Sequence, residues 1–339
     1  MATKRMGKQT VKFEKPPSII GTSSVVGLKE GEGPLREYFD TILTDDLYGE
    51  KSWELAESKM LREAVKTAVQ KSDFNITDMN YMFSGDLLNQ LMSTSFAARD
   101  LKIPFFGLYG ACSTMAEALS LGAMSIDGGY ADNVVAVTSS HFCSAERQYR
   151  FPLELGNQRA LSAQWTVTGA GAAILSNINT GPKITHITTG KVIDLGIKDV
   201  NNMGAAMAPA AMDTIVTHFQ DTGFSADSYD LIVTGDLGAI GKEILEELVL
   251  DKGYNLNNVY NDCGLLIFDN NVQDTHAGGS GCGCSATVFC GYIYKKLMEK
   301  TYNKVLLVST GALLSTTSAQ QGQSIPSIAH AITIINDTV

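Results

Sequence analysis

The chain has 339 residues, of which 44% are hydrophobic and 18% charged, and its formal net charge is -10. This composition supports a substantial core in one large or two mid-sized domains, and it argues against a protein that binds nucleic acid by neutralising phosphates. Residues 1–15 carry charges without an apolar stretch, and no run approaches the roughly 18–20 apolar residues that span a bilayer, so we expect neither a signal peptide nor a transmembrane segment.

The first part of the chain alternates apolar runs with amphipathic helical patterns, which is typical of an α/β protein. Ile19 and Ile20 begin a strand that is predicted to end in a turn at residues 21–26, and a polar surface loop with room for a short helix follows at 28–46. The elements predicted after this loop are a helix at 54–71, a strand at 80–84, a helix at 87–99, a strand at 103–108, a helix at 116–126, a strand at 134–138 and a strand at 166–175.

The second part repeats this alternation. A crossing pair of strands is predicted at 183–193, and Met203 begins a helix that contains Pro209. The elements predicted after this helix are a strand at 229–234, a helix at 242–250, a strand at 265–268, a loop at 270–281, a helix that runs to about residue 300, and strands at 305–309 and 328–335.

A short stretch between a predicted strand and a predicted helix holds the first cysteine of the chain. Residues 110–115 read Gly-Ala-Cys-Ser-Thr-Met. A tight turn between a strand and a helix would leave the sulfur of Cys112 at the helix N-terminus, where unpaired backbone N–H groups and the helix dipole favour negative charge. Such a position suits a thiolate or a bound carboxylate.

This cysteine turn has a counterpart at residues 281–286, which read Gly-Cys-Gly-Cys-Ser-Ala. The corresponding segments, first against second, are 74–87 and 224–237, Cys112-Ser113 and Cys284-Ser285, Tyr130 and Tyr302, and 134–138 and 305–309. Two blocks in the same order with compatible spacing predict a duplication. We therefore expect two α/β halves, residues 1–180 and 181–339, the second with an insertion near 251–275.

A cationic segment follows the strand at 134–138. His141 lies at the end of this strand, and Arg147 and Arg150 follow within ten residues in a predicted loop at 142–152. Because ligands of parallel sheets bind beyond the carboxyl ends of the strands, these side chains are candidate ligand contacts. The alternative is a solvated loop whose arginines pair with nearby glutamates.

The remaining cysteines suggest no metal site. The six cysteines are spread thinly, so reduced thiols are expected. Cys282, Cys284 and Cys290 contain no CxxC pair and have no histidine at ligand spacing, and neither a P-loop nor a GxGxxG pattern is present. No metal and no cofactor are predicted.

Two duplicated α/β halves with a cysteine at the turn before the third helix resemble the thiolase and ketoacyl-synthase superfamily. The segment from Met203 to Ala211 also looks like the start of the second half of those enzymes. The resemblance implies a thiolase-like fold, in which two βαβαβαββ halves form five layers in the order α/β/α/β/α.

Several stretches together resemble one family more closely, that of the stage V sporulation protein AD. They are Gly7-Lys8-Gln9-Thr10, Gly110-Ala111-Cys112-Ser113, Ser139-Ser140-His141-Phe142, Gln148-Tyr149-Arg150-Phe151-Pro152, Gln164-Trp165-Thr166-Val167-Thr168-Gly169 and His276-Ala277-Gly278-Gly279-Ser280-Gly281-Cys282-Gly283-Cys284. The resemblance implies a protein of endospore-forming bacteria that binds dipicolinic acid (pyridine-2,6-dicarboxylic acid) and its calcium chelate. It would act in the apparatus that moves this ligand into the spore and releases it at germination, on the spore inner membrane through membrane-embedded partner proteins.

The groups around Cys112 separate a binder from an enzyme. Catalytic relatives pair the nucleophile with His and His, or His and Asn, from the second half, where this chain has Asp236 and Cys282. An ionised Asp236 would repel the developing oxyanion, so we expect a non-enzymatic binding protein. The alternatives are a condensing or acyl-transfer enzyme that uses Cys112 with His141 or His276 reaching it from another direction, and a protein in which Cys112 is a small core residue.

A flat aromatic dicarboxylate needs N–H donors or cations and an apolar slot for its ring. The candidate ligand contacts are Cys112, Ser113, His141, Arg147, Arg150, His276 and Ser285. Phe142, Tyr149 and Phe151 are candidates for the wall that faces the ring. Relatives of this fold dimerise through the strand before the nucleophile, so the resemblance also implies a homodimer through residues 102–108.

Overall fold

The computed structural model describes residues 3–149 and 159–336. The strands are β1 Arg5–Met6, β2 Thr10–Lys12, β3 Ser18–Val26, β4 Thr41–Ile42, β5 Tyr81–Gly85, β6 Phe105–Gly107, β7 Asn133–Ser140, β8 Trp165–Thr166, β9 Gly169–Ser176, β10 Lys183–Thr188, β11 Leu231–Thr234, β12 Tyr260–Asp262, β13 Gly279–Ser280, β14 Lys304–Ala312 and β15 Ser327–Ile335. The α-helices are α1 Leu28–Gly31, α2 Trp53–Lys71, α3 Met92–Leu101, α4 Thr114–Asp127, α5 Phe142–Tyr149, α6 Met203–Thr222, α7 Gly238–Asp251, α8 Cys263–Leu266, α9 Cys282–Thr287, α10 Tyr294–Met298 and α11 Thr316–Gln320, with a π-helical segment, Val288–Ile293, between α9 and α10.

The strands confirm that the fold is duplicated. The first half has the order β3-β9-β7-β5-β6, and the second has the order β10-β15-β14-β11-β12. In both halves the first two pairings are antiparallel and the last two are parallel. Strand β10 joins the halves by pairing with β2 and β3.

The helices form three layers around the two halves of the sheet. Helices α2 and α3 cover one outer face, and α6 and α7 cover the other. Helices α4 and α9 lie between the halves, within the largest apolar core. Helix α4 contacts strands of both halves, and α9, from the second half, contacts strands β3, β7 and β9 of the first. The chain therefore has the five-layered α/β/α/β/α arrangement that the resemblance implied.

Glycines in the sheet bring the two cysteine turns close to the opposite half. A Cβ on Gly171 of β9 would lie 2.3 Å from the carbonyl oxygen of Ala286 in α9. Likewise, a Cβ on Gly311 of β14 would lie 2.2 Å from the carbonyl oxygen of Gly110. Neither approach is open to a larger residue, so both cysteine turns meet in the middle of the molecule.

Four local predictions differ from the structure. Residues 21–26 continue strand β3 instead of forming a turn, since their side chains are buried on both sides of the sheet. The predicted strand pair at 183–193 is the single strand β10. The predicted strand at 265–268 falls on α8, whose N-terminus is capped by Asp262 accepting from Gly264 N–H. The predicted loop at 142–152 begins with helix α5, and its last three residues lie outside the described residues.

Candidate functional site at Cys112

Cys112 lies on a 3₁₀ turn, Ala111–Ser113, that leads directly into α4. The residue before it, Ala111, has φ of 49°, a left-handed conformation that is uncommon for a residue with a side chain. Only 6% of Cys112 is exposed. The predicted position of the sulfur at the start of a helix is confirmed, and the strained turn directs it toward the second half of the molecule.

The carboxyl group of Asp236 lies beside the thiol of Cys112 and interacts with it electrostatically. Asp236 is fully buried, directly beyond the end of β11, and its Oδ1 accepts from Thr310 Oγ1 at 2.7 Å. Its Oδ2 accepts from Ser280 Oγ and from the N–H of Gly281, each at 3.0 Å. These donors hold the carboxyl group in place beside the sulfur.

This environment disfavours a thiolate. Burial raises the pKa of Cys112 well above its ordinary value, and the neighbouring Asp236 and the thiol of Cys282 raise it further. Burial also raises the pKa of Asp236. Because the thiolate is the nucleophilic form of cysteine, the sulfur at this helix N-terminus is poorly activated.

A cavity of about 180 Å³ opens onto Cys112. The first half contributes Leu87, Tyr109, Ala111, Cys112, Ala145, Glu146, Tyr149 and Thr166, and the second contributes Val200, Met203, Ser280, Ala312, Leu314, Ser315, Thr316, Ala319 and Gln320. The cavity thus lies between the halves, and its volume is below the roughly 300–1,000 Å³ typical of pockets for drug-sized ligands.

The cavity wall combines apolar surface with hydroxyl groups. Tyr149 donates its hydroxyl to the carbonyl oxygen of Leu87 at 2.8 Å and lies 3.2 Å, oxygen to oxygen, from the hydroxyl of Tyr109. Thr166, Ser280, Ser315 and Thr316 add hydroxyls, Glu146 adds a carboxyl group, and none of the described lining residues is basic. The described wall therefore offers flat aromatic surface and hydroxyl donors to a small ligand.

Two of the predicted serine contacts are buried near the cysteine turns. Ser113 is fully buried and donates its hydroxyl to the carbonyl oxygen of Gly110 at 2.6 Å. Ser285 is 1% exposed, and its Oγ has no hydrogen-bond partner among the described residues. Neither residue is among those that line the cavity.

His141 is buried as a neutral imidazole. Its Nδ1 accepts from the N–H of Cys143 at 3.1 Å, so its Nε2 carries the proton and donates to the carbonyl oxygen of Asp46 at 2.8 Å. Burial lowers the pKa of His141, which agrees with the neutral form. Both ring nitrogens are therefore engaged by backbone groups.

The other predicted contacts also have partners outside the cavity. Arg147 forms an ion pair with Glu54 and stacks over the ring of Trp53. His276 contacts the carbonyl oxygen of Ala160 through Nδ1 at 2.8 Å and Asp274 through Nε2 at 3.0 Å. Arg150 lies outside the described residues. Among the described members of the predicted set, only Cys112 lies in the wall of the cavity.

Two further acids, Glu57 and Asp86, are fully buried and interact with Cys282. Glu57 accepts from Ser139 Oγ at 3.1 Å and from Ser144 Oγ at 2.9 Å. Asp86, the counterpart of Asp236 in the duplication, accepts from the N–H groups of Leu88 and Thr94. Burial raises the pKa of both carboxyl groups, and burial and then these two acids raise the pKa of Cys282.

The sequence analysis missed the wall formed by residues 314–320, which follow β14. The internal duplication could have predicted this wall. Strand β14 corresponds to β7, so the segment after β14 corresponds to the one after β7, and α11 is the counterpart of α5. Ligands bind beyond the carboxyl ends of strands, and this rule applied to both halves would have found both walls.

Within the described part of the chain, no group of three or more His, Cys, Asp or Glu side chains is arranged to hold a metal ion. No helix there combines the length and the apolar character needed to cross a membrane.

Comparisons with known proteins agree on the fold and on one family. The sequence model for stage V sporulation protein AD matches residues 7–335. The protein of that name from Bacillus subtilis (strain 168) is 46% identical over 329 residues, which cover 97% of each chain. A solved structure of 3-oxoacyl-[acyl-carrier-protein] synthase III from Aquifex aeolicus superposes with a TM-score of 0.58 at 12% identity, over 94% of this chain and 99% of the other. Cerulenin-bound OleA from Xanthomonas campestris gives 0.60 at 14% identity, over 96% and 97%.

Proposed function

Because the chain belongs to the stage V sporulation protein AD family, we propose that it is a non-enzymatic binding protein for dipicolinic acid and its calcium chelate. In this role it serves the apparatus that loads the ligand into the spore and releases it at germination. The ligand occupies the cavity at Cys112, between the two halves of the thiolase-like fold.

The contact between Asp236 and Cys112 supports binding over catalysis most directly. Acyl transfer through the sulfur needs a thiolate and donors that stabilise an oxyanion. Here a buried carboxyl group faces the sulfur, and burial raises the pKa of the thiol. The ring nitrogens of His141 and His276 have other partners, namely Asp46 and Cys143 for His141 and Ala160 and Asp274 for His276. These contacts support a site in which the described residues leave the sulfur without an activating base.

The cavity suits a small flat ring. The rings of Tyr109 and Tyr149 and the side chains of Leu87 and Leu314 offer apolar contact, and the hydroxyl groups of the wall can donate to carboxylate oxygens. The predicted contacts of Ser113, His141, Arg147, Arg150, His276 and Ser285 with the ligand remain predictions.

Calorimetric titration with dipicolinic acid and with its calcium chelate tests ligand binding. We expect wild-type protein to bind, and Ala312→Leu, which fills the cavity, to lose most of the affinity. Ala239→Leu, on α7 outside the cavity wall, is the matched control and should bind as wild type. Equal affinity in Ala312→Leu and Ala239→Leu would place the ligand elsewhere. Arg147→Ala and Arg150→Ala test the predicted arginine contacts in the same assay.

Intact-mass measurement after incubation with acyl-CoA tests the alternative, a condensing or acyl-transfer enzyme. A binding protein should show no mass increase. An acyl group that appears on the wild type and not on Cys112→Ala would contradict the proposal.

We also propose that the protein reaches the spore inner membrane through membrane-embedded partners of the same apparatus, and that it forms a homodimer. Strand β6 is an edge strand of the sheet and carries Phe106, which is 51% exposed. An unpaired edge with an exposed aromatic side chain favours pairing with a second copy.

A further inference from the structure

A second cleft, with a volume of about 480 Å³, lies at the end of the first-half sheet opposite the Cys112 cavity. The strand registers place it there. Tyr81 pairs with Val134, Asn133 with Ser176, Ser176 with Ser18, and Ser18 with Lys183. The lining segments therefore precede β5, β7 and β3, follow β9 and begin β10, whereas Cys112 and Asp236 lie beyond the carboxyl ends of parallel strands.

The floor of this cleft is a fixed polar network. The Oδ1 of Asn80 accepts from the N–H groups of Asp132 and Asn133 at 2.8 and 3.1 Å, which leaves its Nδ2 as a donor. Asn177 donates from Nδ2 to Asp132 Oδ1 at 2.7 Å and from its backbone N–H to the carbonyl oxygen of Asp132 at 3.0 Å. The polar groups are thus held in place without a ligand.

An exposed ring lies beside this floor. Tyr130 is 78% exposed, although its ring rests on the backbone of Gly128, where a Cβ would lie 2.9 Å from the ring. Its counterpart in the duplication, Tyr302, is covered by Tyr292, with 3.2 Å between the two hydroxyl oxygens. The tyrosine ring at this position is therefore packed in the second half and exposed in the first, where it borders the cleft.

Lys15 gives the cleft a cation for an anionic group. It forms no ion pair with a described residue, whereas Lys183, which also lines the cleft, already has an interaction of its own. The acid of the lining, Asp132, accepts from Asn177 Nδ2. We propose that this cleft binds a small molecule in which a planar ring carries an anionic group, with the ring on Tyr130 and the anion at Lys15.

Ligand-observed NMR titration tests this site with benzoate and phenyl phosphate, which share a ring and an anion, and with neutral benzamide. We expect both anions to bind and benzamide to bind about tenfold more weakly. The ratio between benzoate and phenyl phosphate distinguishes a carboxylate site from a phosphate site. Tyr130→Ala and Lys15→Gln should each weaken the anions about fivefold or more, because they remove the stacking surface and a cation.

Three variants serve as controls. Tyr130→Phe keeps the ring and should bind as wild type, and Lys252→Gln removes an exposed lysine remote from the cleft. Ala312→Leu fills the Cys112 cavity, so binding that persists in this variant lies outside that cavity, and its loss in Tyr130→Ala and Lys15→Gln assigns it to the second cleft. The proposal is overturned if neither anion binds, or if Tyr130→Ala and Lys15→Gln bind both anions as tightly as the wild type does.

Discussion

At the scale of single residues, Asp236 decides what Cys112 can do. The chain has an acid where the resemblance implies a histidine donor in catalytic relatives, and this acid is buried with three protein donors around it. A carboxyl group held against a thiol makes ionisation of the thiol less favourable, whereas an imidazole would assist it. We therefore expect Asp236 to leave Cys112 as part of the cavity wall and not as a nucleophile.

We expect Cys112 to react with iodoacetamide at pH 8 at least about tenfold more slowly than a free cysteine, since each unit of raised pKa lowers the thiolate fraction tenfold. Asp236→Asn removes the adjacent acid and should increase the rate. The measurement is the alkylation rate at Cys112, located by peptide mass. A wild-type rate equal to that of free cysteine would contradict the structure, and Cys112→Ala controls for the other thiols.

Glu30 provides a prediction about pH. It is 1% exposed, accepts from the N–H of Thr168 at 3.0 Å, and burial raises its pKa to about 7. The folded state binds the proton more tightly than the unfolded state does. Its contribution to stability is therefore fully present below about pH 4.5 and is lost as the pH rises through about 7, by on the order of 2–3 kcal/mol.

Glu30→Gln keeps the acceptor and removes the titration. The melting temperature of Glu30→Gln minus that of the wild type, measured by calorimetry, should be larger at pH 8 than at pH 5. Glu243→Gln, an exposed change on α7, should show no such dependence. A wild-type minus Glu30→Gln difference that is the same at both pH values would contradict the prediction.

At the scale of elements, the segment at residues 7–10 is fastened to α6. The carboxylate of Asp221, near the end of α6, accepts from the backbone N–H groups of Lys8, Gln9 and Thr10 at 2.8–3.0 Å. Gly7 has φ of 61°, and a Cβ there would lie 2.0 Å from Asp221 Oδ1. The Gly-Lys-Gln-Thr stretch thus connects the N-terminal segment to the second half.

Asp221→Ala should lower the free energy of unfolding by about 1–3 kcal/mol, because three backbone donors lose their acceptor. Gly7→Ala should be destabilising through the clash and the strained φ. Both effects are measured by urea denaturation. Asp213→Ala, also on α6, is the matched control, and an Asp221→Ala variant as stable as this control would show that the contact is unimportant.

At the scale of the whole molecule, the duplication leaves two edges on the sheet, β6 and β12. At the β6 edge Phe106 stacks on Phe83, with ring centroids 5.2 Å apart, and presents its other face outward. We expect a dimer that Phe106→Lys converts to monomer, as measured by analytical ultracentrifugation, because a charge on an exposed strand edge opposes pairing. Val272→Lys, at another exposed apolar residue, should leave the dimer intact. A wild type that is monomeric at every concentration tested would rule the dimer out.

The sequence by itself determined the architecture, the family and the place of Cys112. The repeated blocks and the periodicity of the helices are local signals, since buried strands and amphipathic helices require these patterns wherever they pack. The place of Asp236 near Cys112 is what the resemblance to thiolase-like enzymes implied, and the structure brings this acid beside the sulfur.

Only the tertiary structure decided which side chains share the cavity. His141 contacts the carbonyl oxygen of Asp46, and Arg147 forms an ion pair with Glu54. His276 contacts Ala160 and Asp274. The partners are distant in sequence or lie across a loop. A buried or partly buried polar group takes whichever partner packing places within reach, and spacing along the chain does not specify that partner. The wall from Leu314 to Gln320 joins the site for the same reason, because the folding of the second half carries it across to Cys112.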